Sequence, residues 1–176
     1  MQNIVPTQRH NMQTVFWICF LGIVYTYFGY PILLTILGRL KRRLIKATKR
    51  RFSKDEAPPI TLLVPMHNEQ DIVGAKLENT LALQYPGKLE ICVISDGSTD
   101  RTGEIVRSFC ADERLVFIDL RERKGKSNAL NVGLERARGE IVVFTDASII
   151  LDVNAIWAIV QPFADPEIGC VSGEDH

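Results

Sequence analysis

Beyond Pro58-Pro59 the chain alternates short, dense apolar runs with longer stretches whose apolar residues recur every three or four positions. ITLLV (60–64) predicts a strand, and Glu69–Gln84, with Ile72, Leu77, Leu81 and Leu83, predicts a helix stopped by Tyr85-Pro86-Gly87. The alternation continues with strand LEICVIS (89–95), helix Asp100–Cys110, strand RLVFIDL (114–120) and helix Lys126–Ala137. It closes with strand EIVVFT (140–145), helix Val153–Phe163 and a fifth strand IGCVS (168–172). Strands with almost no polar interruption need cover on both faces, so the pattern implies an α/β fold on a mostly parallel sheet with flanking helices. Ligands of such sheets bind where the carboxyl ends of the strands meet their loops, which directs attention to the residues after strands one, two and four.

The N-terminal third follows a different pattern. Thr14–Leu37 is a run of 24 residues without a charged side chain. As a helix it would reach about 36 Å, enough to cross a hydrocarbon core of about 30 Å with some tilt. A signal peptide has a shorter apolar core followed by a cleavage site of small residues. Here the run is longer and is followed by RLKRRLIKATKRRFSK, which favours a retained membrane helix. Trp17 and Tyr30 suit interfacial positions, while Pro31 and the two glycines of the span are tolerable in a membrane helix. The expected organisation is a tail over 1–13, a transmembrane helix over 14–38, a basic linker over 39–58 and the α/β domain over 59–176.

Charge sharpens this division. Residues 1–54 contain ten Lys/Arg and no acid, so the remainder carries a net charge of −10 although the whole chain sums to zero. A globular part that acidic lacks the basic face that nucleic acid requires, and no nucleic-acid partner is expected. Nine of the ten basic residues lie in Arg39–Lys54, against Arg9 alone before the span. That asymmetry predicts a single-pass protein with its N-terminus outside and its soluble domain cytoplasmic, the basic segment resting on anionic membrane lipid. Cys19, Cys92, Cys110 and Cys170 show no metal-ligand spacing and are expected to be small apolar fillers in a reducing compartment.

Four loops carry candidate chemistry. In VPMHNEQD (64–71), Pro65 ends the strand, Asn68 is placed to cap a helix and Glu69 begins it; an ordinary capped turn accounts for this loop equally well. In SDGSTDRT (95–102), Asp96 can accept hydrogen bonds from a ribose hydroxyl or a base N–H, Gly97 allows a positive φ or a close approach, and Ser98 or Thr99 can cap the next helix. The glycine-rich turn that a dinucleotide fold needs after strand one is missing from PMHNEQ. Gly125-Lys126-Ser127 lacks the upstream glycine of a P-loop, since Leu120 stands there. Lys126 can instead meet a diphosphate as a point charge, or simply be a solvated lysine. In TDAS (145–148), Asp146 and Ser148 offer hard oxygens to Mg²⁺ or Mn²⁺, ions that fill their coordination with phosphate and water.

Taken together, LLVPMHNEQDIV, VISDGSTDRTGEIV and KGKSNALNVGLERARGEIVVFTDAS resemble, in order and spacing, the family 2 glycosyltransferases, inverting enzymes of the GT-A fold, over residues 60–173. The resemblance implies a nucleotide-sugar donor, usually a UDP-sugar, and a divalent metal. It also implies nucleotide contacts from Pro65, Asn68 and Glu69, a uracil- and ribose-side role for Asp96 beside Gly97, a diphosphate role for Lys126 and a metal role for Asp146. Where the family's motif has a second Asp, this chain has Ser148. The family's acceptor-side base lies further downstream, so the expectation is a donor-binding half whose catalytic base is outside these residues. Glu174 and Asp175 come too early to serve. The acceptor is not indicated. A non-catalytic, membrane-tethered nucleotide-binding or interaction module is the alternative from a different functional class.

Overall fold

Ile60–Met66 forms strand β1, buried along its whole length, and Leu89–Asp96 forms β2 beside it in parallel register, Ile60 opposite Leu89 and Met66 opposite Ser95. β3 (Leu115–Leu120) pairs in parallel with the far side of β2. β4 (Ile141–Phe144) pairs in parallel with the free side of β1. The order is therefore β3-β2-β1-β4. These facts come from a computed structural model that describes residues 6–44 and 50–173.

Helices lie on both sides of the sheet. α3 (Val73–Leu81), α4 (Thr102–Phe109) and α6 (Ala155–Val160) cover one face. There Leu62, Val64, Ile91 and Val93 pack with Val73, Leu77, Val106, Ile156 and Val160. α5 (Lys126–Arg136) covers the other, where Ala129 joins Leu63, Cys92, Ile94 and Ile118. Alternate residues of β1 thus serve opposite layers, as the strand period of two requires. The chain builds β1 to β3 outward in one direction, then crosses beneath the sheet through α5 and returns to the other side of β1. That reversal opens a crevice at the carboxyl ends of β1 and β4.

Several sequence expectations are corrected. α3 starts at Val73 rather than Glu69, after the left-handed Asn68 and a turn over 70–72, and the N–H groups of Glu69 and Gln70 are satisfied by Thr102 Oγ1 and Asp100 Oδ2. It ends at Leu81, after which Gln84 N–H turns to the carbonyl of Val153. The last helix is shorter than 153–163, a 3₁₀ turn continuing it over Gln161–Ala164. IGCVS (168–172) is not a strand; among the described residues it finds no ladder partner, and an apolar run without one remains irregular. Cys92 is a buried filler whose thiol is pushed up to about 11, mainly by burial, but Cys19, Cys110 and Cys170 are exposed.

The N-terminal unit, residues 1–48 by internal contacts, separates from the unit 49–176. Its described part is α1 (Pro6–Val24), a π-helical stretch Tyr25–Gly29, and α2 (Tyr30–Leu44). Met12–Leu40 within it is long and apolar enough to cross a membrane. The π-helical stretch ends two residues before Pro31, whose ring would otherwise crowd the carbonyl four residues back. Thr26 and Thr35 each return their hydroxyl to a carbonyl four residues earlier, those of Gly22 and Pro31. A hydroxyl satisfied within its own helix suits an apolar solvent. Residues 45–49 of the basic linker lie outside the described residues.

Two glycines make the packing testable. A Cβ at Gly139 would collide with the backbone of Ile60 and Thr61, which β1 cannot move, whereas a Cβ at Gly74 in α3 meets open space. Gly139→Ala is expected to lower unfolding stability by about 1–3 kcal/mol, the usual cost of overpacking. Gly74→Ala should raise it by about 0.5–1 kcal/mol through helix propensity. Denaturant titration of the two variants beside the parent chain in detergent reads both signs.

Candidate functional site

The loops after all four strands meet at the crevice. A cleft of about 240 Å³ is lined there by Pro65, which lies within β1 rather than ending it, His67 and Glu69 from the loop that follows, Asp96 at the end of β2, Arg123 and Gly125 from the third loop with Lys126 at the start of α5, and Asp146 to Ser148 from the fourth loop. A larger groove of about 770 Å³ lies at the opposite, amino-terminal edge of the strands, between Tyr85, Lys88, Arg114 and Arg138. The larger volume is not where the candidate chemistry converges.

The first two loops are stitched together by polar bonds. Asn68 adopts a left-handed conformation (φ 53°), which asparagine tolerates better than most residues. Its N–H donates to Ser98 Oγ at 3.1 Å and its Oδ1 accepts from Thr99 N–H at 2.8 Å. Asn68 is therefore a clasp between loops and not a helix cap, and it lies beside the cleft rather than in its lining. Ser98 and Thr99 cap no helix either. Asp100 takes that part, accepting from Thr102 N–H at 2.9 Å and from Gln70 N–H at 3.2 Å.

Asp96 is almost fully buried at 3% exposure. Its Oδ1 accepts from Lys124 N–H at 2.9 Å and its Oδ2 from Gly125 N–H at 2.7 Å. The carboxylate thus pins the loop after β3 and sets where α5 begins. Gly97 makes room for this: it has φ 62°, and a Cβ there would strike the backbone of Glu122 and Arg123. Both features expected of this glycine, the positive φ and the close approach, occur together. Asp96 lines the cleft, and each of its carboxylate oxygens keeps a second acceptor position.

Lys126 and Asp146 come from loops twenty residues apart and face each other. Lys126 Nζ donates to Asp146 Oδ1 at 2.6 Å, with the two side chains 59% and 50% exposed. An ion pair this exposed contributes little to stability, a fraction of ~1 kcal/mol. Its interest is chemical, because an anion and a cation stand at the mouth of one cleft. Among the described residues no group of three or more His, Cys, Asp or Glu could hold a metal by itself. Asp146 with Ser148 supplies one carboxylate and one hydroxyl, which fits Mg²⁺ or Mn²⁺ sharing its coordination with substrate phosphate and fits no all-protein cage. Glu174 and Asp175 lie outside the described residues.

Sequence reasoning missed Lys76. It lies on the inward face of α3 with Val73, Leu77 and Thr80 and has no exposed surface. Its Nζ donates to Thr145 Oγ1 at 3.1 Å and to the carbonyl of Ile149 at 2.5 Å, spanning the turn that carries Asp146. Burial pushes its ammonium down to about 8, with Asp146 pulling the other way. The signal was available: a lysine interrupts the apolar face of an amphipathic helix at the i+3 position from Val73.

A parallel sheet with a donor-type cleft at its topological switch is the architecture of GT-A glycosyltransferases, and solved structures bear this out. The mannosyltransferase PcManGT from Pyrobaculum calidifontis, in complex with GDP-Man and Mn²⁺, matches with TM-score 0.68 and 34% identity over 85% of this chain and 44% of its own. TarS from Staphylococcus aureus, in complex with UDP-GlcNAc, matches with TM-score 0.52 and 26% identity over 58% of this chain and 31% of its own. The chain belongs to glycosyl transferase family 2, whose model matches residues 61–174. Among curated proteins it is 35% identical to the poly-β-1,6-N-acetyl-D-glucosamine synthase of Staphylococcus aureus over 91% of its own length. It spans 36% of that relative's length.

The clasp is directly testable. Asn68→Ala loses the bond to Thr99 and places a Cβ residue without side-chain compensation at positive φ; Asn68→Gly loses only the bond. The alanine variant is expected to be less stable than the glycine variant by about 1–2 kcal/mol, measured by thermal or urea unfolding. Equal stabilities would contradict the strain argument.

Proposed function

We propose that this chain provides the donor-binding part of a membrane-anchored, inverting glycosyltransferase that takes its sugar from a nucleotide-sugar, a UDP-sugar in the first instance. The observation that carries the reading is the Lys126–Asp146 pair across a cleft at the sheet's switch point. The two charges match a metal-assisted diphosphate: Lys126 meets phosphate oxygens, and Asp146 with Ser148 is positioned to hold Mg²⁺ or Mn²⁺. When bound, the ion would supply positive charge against the leaving nucleotide diphosphate. Mn²⁺ in the PcManGT complex supports this choice of ion.

The remaining roles belong to the chain's own groups. Asp96 forms the wall at the base and ribose end, offering lone pairs while holding the loop of Lys124 and Gly125 in place, and Gly97 beside it admits the close approach of that loop. Pro65 and Glu69 form the opposite wall, which is held in place because Glu69 and the neighbouring Asn68 are bonded to Thr102 and Ser98. Lys126 stabilises charge that grows on the leaving group as the glycosidic bond to phosphate breaks. Removal of the acceptor hydroxyl proton is assigned to a carboxylate outside these residues. UDP-GlcNAc in the TarS complex and the poly-N-acetylglucosamine synthase relatives favour an N-acetylglucosamine donor and glycan synthesis at a membrane.

The organisation proposed with this function is a tail over 1–13, a membrane helix over 14–38, a basic linker over 39–58 lying on anionic lipid, and the partial GT-A domain over 59–176. The apolar stretch Met12–Leu40 supports the anchor. The nine basic residues of Arg39–Lys54 support a cytoplasmic GT-A domain and an external N-terminus.

Two measurements test these assignments. UDP titrated calorimetrically into the detergent-solubilised chain with Mn²⁺ is expected to bind, and to bind more tightly than GDP. Asp96→Ala should weaken binding with or without metal, whereas Asp146→Ala should abolish the response to metal; titrations unchanged by both substitutions would remove the site assignment. For topology, a cysteine introduced at Lys54 in a background lacking the other four should resist a membrane-impermeant thiol reagent in intact cells. Labelling from outside would reverse the orientation.

A further inference from the structure

We propose that Lys126 stands in for the metal on Asp146, so that the cleft turns away a free divalent ion and takes one together with the nucleoside diphosphate. This deepens the donor-site reading above and rests on it.

Asp146 is the one carboxylate of its turn, and the structure gives that carboxylate a cation of its own: Lys126 Nζ lies 2.6 Å from Oδ1. Mg²⁺ or Mn²⁺ on the same oxygen would stand at about 2.1 Å, so ion and ammonium compete for one position. On the other oxygen of the carboxylate the ion would still lie close to a like charge. The backbone of Asp146 is not free to swing away, because the turn is tied at both ends to α3. Lys76 Nζ bonds Thr145 Oγ1 and the carbonyl of Ile149, and Ile149 N–H returns to the Asp146 carbonyl at 3.2 Å. Lys126 is the partner that can move. It is the first residue of α5, its side chain is 59% exposed, and among the described residues its ammonium bonds Asp146 alone.

One carboxylate and one hydroxyl hold such an ion weakly, so even an exposed ion pair is a competitor for it. The same exposure makes the pair easy to exchange. A diphosphate offers the ammonium several oxygens and a higher charge. As Lys126 turns to phosphate, Asp146 is released to the ion that the phosphate shares. Either ligand alone must break the pair, whereas the two together break it once, and each therefore binds better in the presence of the other. The cleft also carries Glu69, Asp96 and Arg123. Loss of any cation there would favour a metal ion through the general field, and Arg123 supplies the comparison. It lines the same cleft, and among the described residues its side chain makes no ion pair, least of all with Asp146.

Mn²⁺ loses its free-ion EPR signal on binding, and titration of the full chain in detergent without nucleotide reads its affinity. Lys126→Met is expected to bind Mn²⁺ about three- to tenfold more tightly than the parent chain, although a site residue has been removed. Lys126→Arg, which keeps a cation on Asp146, should bind it as the parent does. Arg123→Met should gain about twofold at most, since its charge acts only at a distance. Calorimetry with UDP completes the test: the ratio of UDP affinity with Mn²⁺ to that in EDTA should fall in Lys126→Met and hold in Arg123→Met. A Mn²⁺ affinity in Lys126→Met no higher than the parent's, absence of binding by both included, overturns the proposal. So does an equal gain in Arg123→Met, or a ratio that does not fall. UDP binding by the parent chain with Mn²⁺ preserves the donor-site reading in each of those cases. Absence of UDP binding by the parent chain with Mn²⁺ and in EDTA overturns that reading, and this proposal with it.

Discussion

Parallel pairing on both sides of β1 is the constraint from which the rest of the soluble unit follows. A parallel neighbour cannot be reached by a tight turn, so each added strand needs a crossover, and each crossover lays a helix on one face. β2 and β3 are reached through α3 and α4 on one face, β4 through α5 on the other. All four strands therefore end at the same edge, and only between β1 and β4 do the outgoing loops diverge. The cleft exists because the sheet is parallel and changes direction once.

What fills that edge is polar, and its order comes from hydrogen bonds rather than packing. Asn68, Glu69 and Gln70 are bonded to Ser98, Thr99, Asp100 and Thr102, while Asp96 holds Lys124 and Gly125. Several of the residues that identify the family are thus occupied in shaping one another's loops. A motif carboxylate such as Asp96 can hold a ligand accurately only if its own position is fixed, and here the bonds that fix it also place the start of α5 and Lys126. Preorganisation of this kind lets a site present charge to a leaving group without rearranging at the moment of reaction.

The N-terminal unit presents a different surface. Its apolar side chains are exposed throughout Met12–Leu40, which in water would be unfavourable and in a bilayer is the stable arrangement. The backbone adjustments there, a π-helical stretch before Pro31 and threonine hydroxyls returned to the helix, keep polar groups satisfied without water.

The alternation of apolar runs and amphipathic stretches by itself determined the strand and helix order, the parallel sheet and the edge on which ligands bind. Strand alternation and helix periodicity are local, and burial on both faces leaves a mark in composition. The ordered motifs likewise made Asp96, Lys126 and Asp146 legible as one site, which the cleft then joins. Tertiary structure alone decided that the N–H groups of Glu69 and Gln70 are satisfied by residues about thirty positions away. It also decided that Asn68 is a clasp, that 168–172 stays irregular for want of a ladder partner, and that Lys76 is a buried cation behind Asp146. A side chain's identity is written in the chain, but the partner that satisfies a polar group or offsets a buried charge is chosen only when distant loops are brought together.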